Sequence, residues 1–188
     1  MTDRPRRARR VQLSTPGSSE KMMQKASESK ADHVFLDLED AVAPSQKREA
    51  RKKIVEALKT LNWKGKTRCV RINDLTTEYA FEDIIEVVEG AGEHLDTIMM
   101  TKVLTPADVL FADKLLHQLE KKLKLKRRIG LEARFDLCDR ILGRREVFLQ
   151  PLRLSIVEHH LVSRLAPLQC KGFDHRQLVA QPSWTLAT

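Results

Sequence analysis

The chain reads Val-Phe-Leu-Asp-Leu-Glu-Asp-Ala-Val from residue 34 to residue 42, and a Pro-Ser pair follows at 44–45. Its first residues form an apolar run without polar alternation, which is typical of a parallel strand buried on both faces. Three carboxylates come at the end of that run, on Asp37, Glu39 and Asp40. Acids at the carboxyl end of such a strand suit metal binding, or pairing with arginines around an anionic substrate. The stretch therefore predicts a buried strand that delivers acids to a site; the alternative is a helix amino terminus that favours nearby acids.

The same strand-then-helix order repeats about every 30 residues along the first two thirds of the chain. Strands are predicted at 11–15, 33–38, 67–73, 97–103 and 128–135, and a helix is predicted after each of the first four. Units of this kind imply parallel strands joined by right-handed crossovers, in a (β/α)₈ barrel or an open doubly wound sheet. We expect an α/β protein of the barrel type. Eight units need roughly 250 residues, so this chain has room for about five.

Composition narrows the class of protein. The net charge is +8, but the basic residues concentrate in two segments, 4–10 and 121–128, and aromatic residues are not interleaved with them. That distribution favours a solvated face or a small phosphate-bearing ligand over nucleic acid. No apolar run approaches the roughly 20 residues that span a bilayer, so we expect no membrane partner. No GxGxxG or GxxxxGK[ST] motif supports a nucleotide site.

The number and spacing of the cysteines indicate whether the compartment is oxidising or reducing. Cys69, Cys138 and Cys170 are few, odd in number and far apart, which argues against a disulfide scaffold and for a reducing environment. No CxxC motif or Cys/His spacing typical of a metal site is present. The arginine-rich start lacks an apolar stripe and contains Asp3, so we do not interpret it as a targeting peptide. We expect a cytoplasmic protein, with the mitochondrial matrix as the alternative.

Four segments in register resemble the citrate lyase β-subunit family of the HpcH/HpaI aldolases, and the malyl-CoA and β-methylmalyl-CoA lyases within it. They lie at 10–18, 36–44, 70–73 and 98–103, each at the end of a predicted strand. The resemblance covers about residues 9–135. It implies a (β/α)₈ barrel that uses Mg²⁺, or Mn²⁺ in its place. It also implies two ligands: an acyl-CoA thioester and a 2-oxo acid such as glyoxylate, between which a carbon–carbon bond is formed or cleaved.

The resemblance implies that Arg71, Glu39 and Asp40 are the catalytic residues. Arg71 matches the family's substrate arginine, which binds the 2-oxo acid and steadies negative charge on oxygen. Its alternative role is to pair with the carboxylates of 37–40, and both roles are compatible. Glu39 and Asp40 match an acidic pair that orients Arg71 and metal-bound waters; direct ligation is the alternative. Lys102 is expected to act structurally or electrostatically, because the family uses a metal and not a Schiff base.

Residues for the CoA thioester are implied at the first loop and beside it. Ser14 and Thr15 match the family's acyl-CoA loop, where Gly17 allows close backbone approach and the next helix offers amides to anions. An ordinary strand-to-helix turn is the alternative. Lys25 and Arg10 match basic positions of the family, and the alternative for each is a solvated surface charge.

The metal ligands match least well. The family's first ligand, a glutamate at the end of the fifth strand, falls on Asp136 in this sequence. Glu132 is the fallback, although four residues along a strand place it about 13 Å deeper in the barrel. Arg134 stands where an apolar residue is usual. The second ligand has no counterpart, because Asp174 lacks a convincing strand before it.

The last quarter of the chain loses the strand–helix rhythm. We therefore divide the chain into a basic arm at 1–9, a partial barrel at 10–135 and a divergent tail at 136–188. A reading frame disrupted near residue 134, with a poorly ordered tail, explains this pattern. So does a short homologue that completes its barrel through another chain. Because half a barrel exposes strand edges and apolar faces, we expect a homo-oligomer or poor solubility.

The expected function is therefore a carbon–carbon lyase of the malyl-CoA or citramalyl-CoA type, with impaired activity in this chain. One alternative is a non-catalytic homologue that binds acyl-CoA. Another is a basic nucleic-acid-binding protein, for which only the net charge argues.

Overall fold

A computed structural model describes residues 9–134 of the 188-residue chain. Within that range the predicted alternation of strands and helices is confirmed. The elements are β1 Gln12–Pro16, α1 Glu20–Glu28, β2 His33–Asp37, α2 Lys47–Thr60, β3 Thr67–Arg71, α3 Ala80–Ala91, β4 Thr97–Met100, α4 Pro106–Lys122 and β5 Gly130–Ala133. Two short 3₁₀ turns, Pro44–Gln46 and Gly92–His94, precede α2 and β4.

The strands form one parallel sheet in the order β1-β2-β3-β4-β5. Each strand lies beside the next one in the chain, as in a (β/α)₈ barrel, whereas the strand order of a doubly wound sheet reverses at a switch point. The described residues are thus five consecutive units of a barrel, and the barrel prediction is confirmed for this part of the chain. None of their helices is both long and apolar enough to cross a membrane.

Apolar side chains separate into two cores because successive residues of a strand face opposite ways. The larger core lies between the sheet and the helices. A smaller cluster of Phe35, Cys69 and Met99 lies inside the barrel. Strand β2 is buried at every position because it contributes to both cores. That double burial explains why its sequence shows no polar alternation.

The predicted strands extend beyond the observed ones at their carboxyl ends. The second was predicted to end at residue 38, the third at 73 and the fourth at 103, whereas the ladders end at Asp37, Arg71 and Met100. The residues beyond include Leu38, which is fully buried although it lies in a loop. Its backbone N–H still donates to the carbonyl oxygen of Arg71 at 2.9 Å, so burial and cross-strand hydrogen bonding continue past the last ladder residue, and an apolar run does not mark where a strand ends.

Capping residues mark the starts of α1 and α4, at Ser19 and Thr105, but not those of α2 and α3. Thr105 and Asp108 form a capping box at the start of α4. Of the two glycines near the end of α3, Gly90 lies inside the helix and Gly92 caps it. A Cβ on Gly90 would stand 2.7 Å from both methyl carbons of Val55. Gly90 is therefore required by the close packing of α3 against α2.

A cluster around Asp96 stabilises the amino-terminal end of the sheet. Its carboxylate accepts hydrogen bonds from the backbone N–H and Nε of Arg68, each 2.9 Å, and from Nη1 of Arg127 at 2.6 Å. Burial by itself raises the pKa of Asp96, but these donors outweigh it and hold that pKa well below its usual range.

We predict that the free energy of unfolding decreases as the pH falls below 3.8, the ordinary pKa of this carboxyl. Below that pH Asp96 becomes protonated in the unfolded chain but stays ionised in the folded chain. The uptake of this proton therefore favours unfolding. Urea titrations at about pH 5 and about pH 2.5 measure the effect. Asp96→Asn should lose part of it, whereas Asp113→Asn, whose carboxylate is 40% exposed, should not. Equal pH dependence in wild type and Asp96→Asn would contradict the prediction.

Candidate active site at the carboxyl ends of the strands

Asp37 and Arg71 form the centre of the site. They are the last residues of the neighbouring strands β2 and β3 and are partners in the parallel register. Arg71 Nε lies 2.8 Å from Asp37 Oδ1, and Arg71 Nη2 lies 2.5 Å from Oδ2, so the guanidinium and the carboxylate meet in a two-point contact. The Asp37 side chain is fully buried and that of Arg71 is 12% exposed. This geometry fixes the plane and the direction of the guanidinium.

Asp37 also shapes the loop that follows it. Its Oδ1 accepts a hydrogen bond from the backbone N–H of Glu39 at 2.8 Å, and its Oδ2 accepts one from Ala41 at 3.2 Å. Each carboxylate oxygen thus accepts two hydrogen bonds, one from Arg71 and one from the loop. A single buried side chain therefore orients both the arginine and the acidic residues after β2.

Glu39 lies between two cations. Its Oε2 is 3.1 Å from Arg71 Nη1, and its Oε1 is 3.1 Å from Lys102 Nζ. Asp40 is 72% exposed and its Oδ2 is 3.7 Å from the same Nη1. The Arg71 guanidinium also lies over the ring of Phe35, 5.5 Å from its centroid. The structure thus brings together Arg71, Glu39 and Asp40, as the strand register predicted.

The charges at the site keep its basic groups protonated. The hydrogen bond and the charge of Glu39 raise the pKa of Lys102. Burial by itself lowers the pKa of Arg71, but the hydrogen bonds that Arg71 donates to Asp37 and the charges of the nearby carboxylates outweigh it, so that pKa is raised. Schiff-base formation requires a neutral amine. The geometry therefore agrees with an electrostatic role for Lys102.

Lys47 is a buried residue beside the site that the sequence analysis missed. Its buried Nζ donates to the carbonyl oxygens of Leu38 at 2.8 Å and Glu39 at 3.1 Å, and to Asn73 Oδ1 at 2.6 Å. Burial lowers the pKa of Lys47, against the opposing charge of Asp83. The signal was present in the sequence. Lys47 stands on the buried face of α2, where a charged residue needs a partner.

Asn73 connects Lys47 to a second buried network. Its backbone N–H and its Nδ2 both donate to Asp83 Oδ2, at 2.9 and 2.6 Å. Asp83 Oδ1 accepts from Arg51 Nη1 at 3.1 Å, and Arg51 also reaches Glu82 and Glu86 of α3. Burial raises the pKa of Asp83 in spite of these donors. These hydrogen bonds connect α2 and α3 to the loops that carry the site.

The first loop approaches the site through Gly17. Its backbone N–H donates to the carbonyl oxygen of Asp37 at 2.9 Å. A Cβ on Gly17 would lie 2.8 Å from that oxygen and 2.5 Å from Ile54 Cδ1. The close backbone approach predicted here is therefore made to the protein itself. Ser14 is exposed whereas Thr15 is buried, so the two predicted ligand residues lie on opposite faces of β1.

Two of the predicted binding residues lie away from the Arg71 cluster. Arg10 precedes β1 and pairs with Asp32 at 2.9 Å, at the amino-terminal end of the sheet. A residue before a parallel strand is separated by the length of that strand from the residues after it, about 20 Å here. Lys25 is exposed in the last turn of α1. The structure brings neither of them to Arg71, and their roles stay predictions.

Of the two predicted metal ligands, Glu132 and Asp136, the structure describes only Glu132. Glu132 Oε1 accepts from Thr97 Oγ1 at 2.7 Å and contacts His33 Nε2 at 3.1 Å. His33 and Thr97 begin their strands, so the Glu132 side chain lies deep in the barrel and not at its mouth. Tilt and stagger of barrel strands cause this offset, although the Glu132 and Arg71 backbones both register with Met99. Asp136 lies outside the described residues.

The carboxylates at the mouth do not form a Mg²⁺ site by themselves. Both oxygens of Asp37 already accept hydrogen bonds, and Glu39 lies between Arg71 and Lys102. Mg²⁺ requires oxygen ligands in near-octahedral geometry and is repelled by adjacent cations. Among the described residues, the carboxylates at the mouth are suited to position a substrate. They do not supply a complete set of Mg²⁺ ligands.

Comparison with known proteins identifies a family and related sequences. The model of the HpcH/HpaI aldolase/citrate lyase family matches residues 10–144. The L-malyl-CoA/β-methylmalyl-CoA lyase of Rhodobacter capsulatus is 42% identical over 129 residues, 69% of this chain and 41% of that protein. The enzyme of the same name from Cereibacter sphaeroides strain ATCC 17025 is 45% identical over 117 residues, 62% of this chain and 37% of that protein.

Solved structures agree on the fold. A native malate synthase of Haloferax volcanii at 3 mM glyoxylate superimposes with a TM-score of 0.61 at 22% identity, over 70% of this chain and 44% of that one. The present chain spans about two fifths of the length of these curated relatives. With a family match over most of its length, the chain belongs to the HpcH/HpaI aldolase/citrate lyase family.

Proposed function

We propose that the chain carries the 2-oxo-acid-binding part of a carbon–carbon lyase of the malyl-CoA or citramalyl-CoA type. The observation that carries this proposal is the two-point contact that holds Arg71 at the end of β3 with Glu39 beside it. The relatives named malyl-CoA/β-methylmalyl-CoA lyases support the substrate class. The ligands proposed are an acyl-CoA thioester and a 2-oxo acid such as glyoxylate.

The proposed reaction needs a fixed cation at this point. In the cleavage direction the bond between the thioester's α-carbon and the carbinol carbon breaks. The hydroxyl loses its proton and its oxygen becomes the carbonyl oxygen of the 2-oxo acid. The electron pair passes to the α-carbon, which as an enolate takes up a proton to give acyl-CoA. The carboxylate of the 2-oxo acid stays anionic throughout, and a guanidinium is suited to hold it in place.

Arg71 has a defined edge left for that carboxylate. Nε and one Nη2 hydrogen are directed at Asp37, which leaves the edge formed by Nη1 and the other Nη2 hydrogen. Glu39 contacts Nη1, one of the two nitrogens of that edge. Substrate binding is therefore expected to compete with Glu39, whose charge Lys102 then balances. Asp37 and the loop already hold the guanidinium in its orientation. Substrate binding therefore costs little further conformational entropy of Arg71.

Further parts of the proposal rest on the sequence. Mg²⁺, or Mn²⁺ in its place, stays the predicted cofactor, with Asp136 as its predicted ligand. We propose that residues 10–135 form the lyase domain and that 136–188 form a divergent tail. A homo-oligomer is proposed because β1 and β5 each have a single strand neighbour among residues 9–134. A cytoplasmic location is proposed from the dispersed cysteines.

A second candidate is a non-catalytic homologue that binds acyl-CoA. It is favoured by the observation that the carboxylates at the mouth are engaged with cations and do not form a metal site among residues 9–134. It differs from the first candidate in one measurable respect, which is turnover.

The two candidates are separated by following product formation from malyl-CoA and β-methylmalyl-CoA. We expect the purified chain to release glyoxylate and acyl-CoA in equal amounts with Mg²⁺, at an impaired rate, and we expect this release to stop when EDTA is added. Free thiol should not appear, because the thioester is not hydrolysed. Binding of the CoA thioester without glyoxylate release, and without any effect of EDTA, would favour the second candidate. Arg48→Ala, which changes an exposed arginine on α2, serves as the matched control.

A further inference from the structure

Three side chains with metal-binding chemistry meet inside the barrel, away from the Arg71 cluster. They are His33 at the start of β2, Cys69 in the middle of β3 and Glu132 in β5. All three are buried, and one ligand atom from each lies within 4.8 Å of the other two. His33 stands four residues before Asp37 on the same strand, which corresponds to about 13 Å. The proposed lyase chemistry uses none of the three.

Buried polar atoms in this cluster lack partners within residues 9–134. His33 Nδ1 and Glu132 Oε2 make no hydrogen bond there, although His33 is fully buried and Glu132 is 2% exposed. Such atoms are rare in folded proteins because leaving them without a partner costs free energy. The other carboxylate oxygen, Glu132 Oε1, contacts Arg9 Nη1 at 2.9 Å, Thr97 Oγ1 at 2.7 Å and His33 Nε2 at 3.1 Å. The carboxylate is thus oriented by one oxygen and open for ligation at the other.

The donor set selects the kind of ion. An imidazole nitrogen, a sulfur and a carboxylate oxygen are the ligands of Zn²⁺, whereas Mg²⁺ takes oxygen ligands. Three protein ligands leave one tetrahedral position for water. Burial and the charge of Glu132 raise the pKa of the Cys69 thiol well above its ordinary value, so binding must displace a proton. Arg9, which is 27% exposed, and Arg134 are nearby cations whose charge opposes an incoming ion.

We infer that His33, Cys69 and Glu132 form a site for a divalent ion of the Zn²⁺ type, which joins β2, β3 and β5 inside the barrel. The site is distinct from the mouth in place and in ligand chemistry. An ion that binds this site in the folded chain, and does not bind the unfolded chain, stabilises the fold by mass action.

The test uses the full chain, stripped with a chelator and titrated with Co²⁺ in the presence of excess Mg²⁺. Wild type should take up one Co²⁺ per chain and develop the near-ultraviolet absorption of a cobalt–thiolate bond. Zn²⁺ should abolish that absorption by displacement and raise the Tm. Cys69→Ser should lose the absorption and the Tm shift, with an affinity reduced on the order of 100-fold. Cys138→Ser, which removes a thiol outside the cluster, should behave as wild type.

Three results would overturn the inference: no cobalt–thiolate absorption in wild type, equal absorption in Cys69→Ser, or loss of absorption in Cys138→Ser alone. If Cys69→Ser does not fold, Glu132→Gln decides the question. That variant keeps the thiol and should retain the absorption with weaker Co²⁺ binding; unchanged affinity would contradict the site. Lyase turnover with Mg²⁺ depends on the mouth, so failure of either proposal leaves the other measurable.

Discussion

Arg71→Lys is expected to lower kcat/KM for malyl-CoA cleavage by on the order of 10²–10³-fold while the chain keeps its fold. Lysine retains the positive charge beside Asp37 but has no planar fork, so it cannot contact Asp37 and a substrate carboxylate at two points each. The wild-type guanidinium makes its contacts with Asp37 through Nε and one Nη2 hydrogen, which leaves the edge formed by Nη1 and the other Nη2 hydrogen for the substrate.

The measurement is steady-state release of glyoxylate, with circular dichroism to establish that the variant is folded. Arg48→Lys makes the same chemical change at an exposed position of α2 and should retain wild-type kinetics. The loss in Arg71→Lys should persist at saturating CoA thioester, because the arginine acts on the oxo-acid end. A decrease of less than about tenfold would show that Arg71 has only the structural role of pairing with acids.

Asp37→Ala is expected to reduce the free energy of unfolding by about 3–5 kcal/mol. The substitution removes a fully buried carboxylate that accepts four hydrogen bonds. Arg71 would then be left largely buried with Glu39 as its nearest carboxylate. The backbone N–H groups of Glu39 and Ala41 would also lose their acceptors. Since a domain is stable by only about 5–15 kcal/mol, this single change removes a large part of the total.

Urea unfolding measures this effect, and Asp40→Ala is the matched control. Asp40 belongs to the same loop, but it is 72% exposed and lies 3.7 Å from Arg71, so its removal should change stability by no more than about 0.5 kcal/mol. Similar losses in Asp37→Ala and Asp40→Ala would contradict the assignment of Asp37 as the residue that holds the arginine and the loop.

The sequence predicted the centre of the site because parallel strands obey simple geometry. Asp37 and Arg71 each end a strand, and adjacent parallel strands bring their carboxyl ends together. The position of Arg10 follows from the same rule, since a residue before a strand lies at the other end of the sheet. The assignment of Arg10 to a basic position of the family rested on sequence alone and did not consider which end of the sheet it occupies.

The parts that the sequence did not reveal depend on contacts across the barrel or between helices. His33 and Glu132 are 99 residues apart and meet only because the strands curve and stagger. No local spacing marks such a cluster. Lys47 and Asn73 meet between a helix start and a loop, and a lysine at a helix start is usually exposed. Only its place on the buried face of α2 distinguishes it.

The most direct test of the account is a crystal structure of the chain with glyoxylate and an acyl-CoA bound. The account predicts that the glyoxylate carboxylate lies within hydrogen-bond distance, about 2.7–3.2 Å, of Arg71 Nη1 or Nη2, with the Asp37 contacts intact. Glyoxylate bound elsewhere, with Arg71 still engaged only by Asp37, Glu39 and Asp40, would contradict it.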